Sequence, residues 1–304
     1  MLNVLSDTHA KQTAKIISRF EDTIDIANPD IVLVEGDTNT VLGTSIVISK
    51  TAIKLGHVEA GLRSFDKTMP EELNRIVCDH LSDILFAPTD IASQNLLNEG
   101  IPDEKIFITG NTIVDAVYQN IKIAEKKSDI INTLDINSEF LLLTTHRQEN
   151  ADNKTRLLSI IKGVAQLSRK LGIPAIFPAH PRTVKNLNRF NITIPDNIRI
   201  ISPLGYLDFL ILEKKASLVI TDSGGVQEES CILKTPCITV RDNTERPETI
   251  NVGSNIVVGT LPDNIVENGV KMYNNHKKWI NPFGDGKSGE RIIKLSIKFL
   301  EGVI

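Results

Sequence analysis

The sequence has few of the residues on which disulfide-stabilised or zinc-binding proteins depend. Its 304 residues include three cysteines, and none of them stands in a CxxC or Cys/His zinc-ligand spacing. Cys78 lies in a helical pattern and Cys237 in an apolar run, so both are expected to be small buried side chains. Unpaired cysteines of this kind favour a reducing compartment, the cytoplasm. We expect no metal site.

Long apolar runs and clustered positive charge are also lacking. The longest apolar candidate, Ile46 to Leu55, is interrupted by Lys50 and Lys54 and is shorter than the ~20 residues that span a bilayer. The first residues show no signal-peptide pattern. The formal net charge of -4 argues against a nucleic-acid partner. A small anionic ligand stays open, because a few arginines and helix N-termini can hold a diphosphate.

Short aliphatic runs alternate with longer segments of helical periodicity along most of the chain. Strands are predicted at 31–34, just before Glu59, and at 84–86, 105–109, 140–145, 175–177, 198–201, 218–221 and 238–240. Helices are predicted from about 39 to about Leu55, over 71–81 and 90–97, from 111 onward, and over 154–170. Strands that are apolar on both faces and joined by helices predict an α/β protein with parallel sheets.

A charged, weakly patterned stretch from Glu125 to Asn137 predicts a domain boundary. We expect Rossmann-like domains at 1–125 and 137–285, flanking a cleft, and a terminal helix at 286–304 that packs back on the first domain. In such sheets ligands bind beyond the carboxyl ends of the strands. The turns after the strands are therefore the place to look for chemistry.

Six polar segments occupy or follow these predicted strand ends. They are EGDT (35–38), HVEAGLRS (57–64), PEELNR (70–75), THRQEN (145–150), TDSGGVQEE (221–229) and RDNTERPE (241–248). Each has an ordinary structural explanation when taken alone. Asp37 and Asp222 are well placed to cap helices. Glu71 and Glu72 follow Pro70 in a first helical turn, where acidic residues are common.

The segments carry more weight as a set. Asp37, Glu59, Glu71 and His146 all lie at the carboxyl ends of predicted parallel strands or just after them. Closure of two domains would bring the three carboxylates opposite His146, which is a convergence that helix capping does not require. A lone histidine is structural about as often as it is catalytic, but histidine is also the commonest general acid or base.

The turn Asp222-Ser223-Gly224-Gly225 is a separate signal. Small residues at the start of a helix let backbone N–H groups approach phosphate oxygens closely. The chain lacks both G-x-G-x-x-G and G-x-x-x-x-G-K-[ST], so no dinucleotide or P-loop site is predicted. Two glycines alone are a weak signal for a diphosphate site.

Eight segments in this order resemble the non-hydrolysing UDP-N-acetylglucosamine 2-epimerases, over about Ser6 to about Gly289. They are EGDTNTVL, HVEAGLRS, MPEELNR, ITGNTIVDAV, THRQEN, PLGYLDF, TDSGGVQEE and RDNTERPE. The resemblance implies a GT-B-like pair of Rossmann-like domains, a cytoplasmic homodimer, and interconversion of UDP-GlcNAc with UDP-ManNAc for polysaccharide biosynthesis. It implies no cofactor.

The resemblance also implies roles for individual residues. The implied catalytic residues are Asp37, Glu59, Glu71 and His146. The implied substrate-binding residues are Arg75, Phe209, Ser223, Gly224, Gly225, Glu229 and Arg246. Among these, Phe209 would line the uracil pocket, the Ser223 turn would hold the diphosphate and Glu229 would bind the ribose.

The family pattern departs from this sequence at the start. Family members begin with a strand ending in a GTRPE-like turn, followed by a helix and a second strand, whereas this sequence starts at the segment that comes next. We therefore expect an incomplete N-terminal domain. Three alternatives stay open: a hydrolysing relative that releases ManNAc and UDP, a GT-B glycosyltransferase, and an inactive truncated remnant that binds a UDP-sugar.

Overall fold

The computed structural model describes residues 4, 7–275 and 278–304. Ser6, where the resemblance begins, lies outside the described residues. The chain divides into two compact units, Met1–Asp115 with Phe283–Ile304, and Ala116–Pro282. Each unit has one parallel sheet with helices, so the predicted α/β class with two parallel sheets is confirmed.

The strands, in chain order, are β1 (Ile31–Glu35), β2 (Lys54–Val58), β3 (Ile84–Ala87), β4 (Ile106–Ile108), β5 (Leu141–Thr144), β6 (Ala175–Pro178), β7 (Ile198–Ile201), β8 (Leu218–Thr221), β9 (Cys237–Thr239) and β10 (Asn255–Val257). The helices are α1 (His9–Ala27), α2 (Asn39–Ile48), α3 (Pro70–Leu81), α4 (Asp90–Asn98), α5 (Thr112–Lys127), α6 (Ile130–Thr133), α7 (Gln148–Ala151), α8 (Lys154–Leu171), α9 (Pro181–Arg189), α10 (Tyr206–Lys215), α11 (Gly224–Leu233), α12 (Pro247–Asn251), α13 (Pro262–Tyr273) and α14 (Ser288–Leu300).

The sheet of the first unit has the order β1-β2-β3-β4, and its strands are parallel. Because side chains alternate along a strand, both faces of β3 are apolar and both are covered. Leu85 packs with Leu96 of α4 on one face. Phe86 packs with Ile292 of α14 on the other. The C-terminal helix thus belongs to the core of the first unit.

The sheet of the second unit has the order β10-β9-β8-β5-β6-β7 and is also parallel. Chain order reverses direction between β5 and β8, which pair directly, with Thr144 opposite Thr221. This is the strand order of doubly wound nucleotide-binding folds, whose ligands bind where the order reverses. The turns that follow β5 and β8 therefore lie side by side.

Buried apolar residues fill both faces of the second sheet. Leu141 and Ile220 pack towards α8 and α13, whereas Leu142 and Val219 pack towards α10. Cys237 joins the second cluster, and all three cysteines are buried and unpaired, as the sequence predicted for two of them. Within residues 7–275 and 278–304, no helix combines the length and apolarity of a membrane crossing.

The predicted elements differ from the structure at two points. The helix expected to reach about Leu55 ends at Ile48, and residues 54–58 form β2. The Thr51 hydroxyl donates a hydrogen bond to the Ile48 carbonyl at 2.9 Å, which satisfies one of the last helical acceptors and favours the end of the helix there. Strand β10 was not predicted.

Candidate functional site

In the first unit, Asp37 lies two residues beyond β1 and is fixed by α3. The Arg75 guanidinium, which is 2% exposed, donates to the Asp37 carboxylate and also to Glu72 at 2.9 Å. The Asn74 side chain donates to the Asp37 carbonyl at 2.8 Å. Both the main chain and the carboxylate of Asp37 are therefore held by consecutive residues of one helix.

Glu59 follows β2 directly, and its backbone has a φ of +68°, a value that non-glycine residues seldom adopt. Its Oε2 atom lies 3.6 Å from the position that a Cβ on Gly36 would occupy. Strands β1 and β2 are parallel neighbours. The Glu59 carboxylate therefore lies against the turn that carries Asp37.

Two adjacent glutamates at the start of α3, Glu71 and Glu72, differ in burial and in hydrogen bonding. Glu72 is 1% exposed and accepts hydrogen bonds from the main-chain N–H groups of Ser64 and Phe65, both at 2.9 Å. Glu71 is half-buried and, among the described residues, its carboxylate has no hydrogen-bond or ion-pair partner. Glu71 and Arg75 are four residues apart and so share a face of α3. Of the two glutamates, Glu71 is the one free to meet a ligand.

In the second unit, the Asp222 carboxylate joins the turns after β5 and β8. It is fully buried and accepts hydrogen bonds from the Thr145 hydroxyl at 2.7 Å, from the main-chain N–H of Arg147 at 3.1 Å and from the Asn150 amide at 3.1 Å. The main-chain N–H of His146 donates to it as well, at 3.1 Å. One carboxylate thus orders the THRQEN turn.

The capping explanation for the two aspartates is wrong. Thr38, not Asp37, is the N-cap of α2, and its hydroxyl accepts from the Val41 N–H. Ser223, not Asp222, is the N-cap residue of α11. Neither carboxylate caps a helix. Each accepts hydrogen bonds from residues distant in sequence, Asp37 from Arg75 and Asp222 from Thr145.

His146 and Phe209 line one cavity of about 310 Å³ within the second unit. Its wall is mostly apolar, and its residues are Thr144, His146, Pro178, His180, Pro203, Leu204, Phe209 and Val226. The His146 side chain is half exposed and its Nδ1 atom lies 3.6 Å from Asp222 Oδ1. A concave apolar wall with a few polar groups suits a flat heterocyclic ring.

Two ion pairs, both made by Glu245, lie beside the N-terminus of α11. Glu245 accepts from Arg147 at 3.0 Å and from the fully buried Arg241 at 2.8 Å. A Cβ on Gly224 would lie 2.5 Å from Glu245 Oε1, whereas a Cβ on Gly225 would meet open space. The glycine at 224 is therefore required by packing, and the surface above 225 is accessible. Helix N-termini of this kind attract anions.

Glu229 lies on α11 and is 7% exposed, beside Tyr206 and Glu213 of α10. Burial raises the pKa of Glu229, while the Tyr206 hydroxyl and Glu213 act in the opposite direction. Burial, followed by repulsion from Glu229, raises the pKa of Glu213 well above its usual range. The sequence did not indicate Glu213, because it lies on α10 and its neighbour Glu229 lies on α11, and no local pattern shows that the two carboxyl groups meet.

Arg246 is 5% exposed, and its Nε atom lies 2.6 Å from Glu228 Oε1. The sequence also failed to single out Arg147, Arg241 and Glu245, although they stand in the same motifs as residues that it did select. A sequence motif identifies a segment of the site, but it does not show which of its side chains are buried or paired. Among the described residues, no group of His, Cys, Asp and Glu could hold a metal ion.

These features define a class. The second unit is a nucleotide-binding α/β fold with an anion-attracting helix N-terminus and an apolar cavity at the switch point of its sheet. The first unit is a parallel α/β unit that presents carboxylates at its strand ends.

Comparison with known proteins gives the family within that class. The family described as UDP-N-acetylglucosamine 2-epimerase matches residues 1–296. The UDP-N-acetylglucosamine 2-epimerases of Methanocaldococcus jannaschii and Methanococcus maripaludis are 53% and 52% identical to this chain, and each match covers 97% of this chain and 82% of the relative. The crystal structure of the M. jannaschii UDP-GlcNAc 2-epimerase in complex with UDP-GlcNAc and UDP matches with a TM-score of 0.92, covering 97% of this chain and 83% of that one. The chain belongs to the UDP-N-acetylglucosamine 2-epimerase family.

Proposed function

We propose that this protein interconverts UDP-GlcNAc and UDP-ManNAc by eliminating UDP and adding it back. The observation that carries the proposal is the meeting of the THRQEN and TDSGG turns at the switch point of the second sheet, beside the cavity of Phe209. Membership of the family and similarity to a structure that holds UDP-GlcNAc and UDP support it.

The second unit supplies the binding groups for UDP. The uracil ring occupies the cavity lined by Phe209, and the diphosphate lies over the Ser223-Gly224-Gly225 turn, where the helix N-terminus attracts negative charge. Glu229 receives the ribose hydroxyls. Arg246 and the half-exposed His146 complete the electrostatic stabilisation of the departing diphosphate.

The first unit supplies the groups for proton transfer. The hydrogen on C2 is not next to a carbonyl, so its removal must be coupled to loss of a leaving group. A carboxylate among Asp37, Glu59 and Glu71 takes the C2 proton, the C–H electron pair forms the C1=C2 double bond, and the C1–O bond breaks with its electrons passing to UDP. Another acid protonates C2 of the 2-acetamidoglucal from the opposite face while UDP adds back to C1. Arg75 holds Asp37 in place for this step.

The reaction products separate this proposal from its alternatives. Incubation with UDP-GlcNAc in D₂O, followed by NMR, is expected to give UDP-ManNAc carrying deuterium at C2. Free ManNAc with UDP would indicate a hydrolysing enzyme. UDP binding without turnover would indicate a remnant, and sugar transfer to an added acceptor would indicate a glycosyltransferase. Epimerisation without deuterium would contradict the elimination route.

We further propose that the protein acts as a cytoplasmic homodimer whose product feeds the assembly of a polysaccharide. The family resemblance supports the dimer and the fate of the product, and the three buried, unpaired cysteines are consistent with a reducing compartment. Light scattering coupled to gel filtration measures the assembly directly, and a mass of about 34 kDa per particle would contradict the dimer.

A further inference from the structure

A buried histidine and aspartate lie beneath the two turns that carry Asp37 and Glu59. His57 is in β2 and Asp79 is in the last turns of α3, and they are 0% and 1% exposed. The Nδ1 atom of His57 lies 2.6 Å from Asp79 Oδ1. We call these two residues the His57–Asp79 pair.

The contacts of His57 require a charged ring. Its Nε2 atom lies 3.0 Å from the carbonyl oxygen of Gly36, and a carbonyl can only accept. Asp79 Oδ2 accepts from the main-chain N–H of Gly61 at 3.2 Å and lies 2.7 Å from the Arg63 guanidinium. Burial raises the pKa of Asp79, but His57 and Arg63 more than offset this and the net pKa is lowered, so Asp79 is ionised and its Oδ1 atom accepts too. Both ring nitrogens of His57 must then donate, which makes the ring an imidazolium.

The charges around this imidazolium balance. Arg63 makes two contacts of 2.7 Å with the Glu99 carboxylate, so two cations and two anions form one network. His57, Asp79 and Arg63 are buried, whereas the Glu99 side chain is 26% exposed and also lies 3.7 Å from His80 Nε2. Burial lowers the pKa of His57, but Asp79 and the neighbouring Cys78 thiol more than offset this, and the net pKa is well above the usual value. A buried ionic network contributes little net stability, because its charges must be removed from water. Stability alone therefore does not account for this arrangement.

That geometry connects two turns. His57 holds the Gly36 carbonyl, one residue before Asp37, and Asp79 holds the Gly61 N–H, two residues after Glu59. Glu59 has a φ of +68°, which persists only where the surroundings enforce it. Within the pair, His57 therefore contacts the turn of Asp37 and Asp79 contacts the turn of Glu59.

We propose that His57 and Asp79 are positioning residues that fix the turns of Asp37 and Glu59 relative to each other, so that both carboxylates meet the sugar in one geometry. Neither residue needs to touch the substrate. The inference rests on the proposed function for its kinetic consequence, because a displacement of a catalytic carboxylate by about 1 Å can lower turnover by about 10²-fold.

Two substitutions at position 57 separate the two contacts. The amide nitrogen of Asn can take the place of Nδ1 and keep the contact with Asp79, but it does not reach Gly36. The amide nitrogen of Gln can take the place of Nε2 and keep the contact with Gly36. We expect His57→Asn to lower kcat at least tenfold with KM and UDP affinity within about twofold of wild type. His57→Gln keeps the contact with Gly36 but loses the one with Asp79, so we expect it to lower kcat by a smaller factor.

A merely structural role gives a different pattern. Both variants would then melt at lower temperature and, well below that temperature, turn over at the wild-type rate per folded molecule, which would overturn the proposal. Asp79→Asn, which preserves the side-chain volume, is a second variant with the same expected loss of kcat if His57→Asn does not fold. NMR of ¹⁵N-histidine-labelled wild type should show both His57 ring nitrogens protonated at neutral pH, and a neutral ring would also overturn the proposal.

Hydrogen exchange keeps this test independent of the proposed function. If the wild-type protein does not epimerise UDP-GlcNAc, the proposed function fails, but mass spectrometry still reports the backbone amides of residues 35–38 and 59–61. Faster exchange of these amides in His57→Asn, with a smaller increase in His57→Gln, supports positioning. Unchanged exchange in both variants contradicts it.

Discussion

The main-chain N–H of His146 donates a hydrogen bond to the Asp222 carboxylate at 3.1 Å, although the two residues lie on separate turns. The strands before these turns, β5 and β8, pair across the switch point of the sheet. The backbone position of His146 is thus set by a buried carboxylate, whereas its imidazole is half exposed. Backbone placement and side-chain chemistry can therefore be tested separately.

Replacing the imidazole of His146 should lower turnover without changing the fold. In His146→Asn the main-chain contact to Asp222 is preserved, so we expect an unchanged melting temperature. We expect turnover to fall by about 10²-fold or more, which corresponds to a barrier increase of roughly 2.7 kcal/mol. Steady-state kinetics and thermal melting measure the two quantities. Full activity in this variant would show that His146 takes no part in the reaction.

Asp37→Asn should lower turnover by a similar factor of about 10². Affinity for UDP should stay nearly unchanged, because a carboxylate that acts on the sugar adds no attraction for a diphosphate. Calorimetric titration with UDP and a kinetic assay give the comparison. Asp90→Asn is a matched control, since Asp90 is an exposed aspartate on α4. A large loss of UDP affinity in Asp37→Asn alone would contradict the assignment to the sugar.

The two glycines of the α11 turn should respond differently to alanine. A methyl group on Gly224 would meet Glu245 at 2.5 Å, and Glu245 is held by two arginines, so Gly224→Ala should destabilise the protein by about 1–3 kcal/mol. Gly225→Ala has open space and should retain full stability, but weaken UDP binding about tenfold by blocking a backbone contact. Denaturant unfolding and UDP titration distinguish the two. Equal stability loss in both variants would contradict this packing argument.

Much of the fold could be predicted because buried parallel strands are short apolar runs with clear ends. Strands such as β3 and β8 lie within a residue or two of their predicted bounds. Helix α2 was predicted too long, since a few further apolar residues extend its periodicity into β2. The hydroxyl contacts of Ser49 and Thr51 with carbonyls of the last turn accompany the end of the helix.

The candidate site could be predicted in outline for the same reason, since strand ends in parallel sheets collect the functional turns. What the sequence did not indicate was the pairing within and between those turns. Arg75 was selected for the substrate, yet in the structure it contacts Asp37 and Glu72. Asp222 could be mistaken for a helix cap. The Arg75–Asp37 and His146–Asp222 contacts join residues 38 and 76 positions apart, and a local sequence pattern carries no information about such contacts.

The buried carboxyl groups of Glu213 and Glu229 predict that the free energy of unfolding depends on pH. Burial, and then repulsion from Glu229, raises the pKa of Glu213 well above its usual value of 4.5. The folded state therefore holds the Glu213 proton more tightly than the unfolded state does. Stability is greatest near or below pH 4.5, as far as this group is concerned, and is lost as the pH rises towards the raised folded pKa.

Glu213→Gln keeps the shape of the side chain and cannot ionise, so it should flatten this slope. We expect the variant to be more stable than wild type at pH 8, with a difference that shrinks as the pH falls towards 4.5. Tyr206, Glu229 and the Cys237 thiol are the other titratable groups beside Glu213, and they are unchanged in the variant. Glu267→Gln, on the exposed surface of α13, is the matched control and should follow the wild-type curve. Urea unfolding at a series of pH values measures the free energies, and parallel curves for wild type and Glu213→Gln would show that Glu213 has the same proton affinity in the folded and unfolded states.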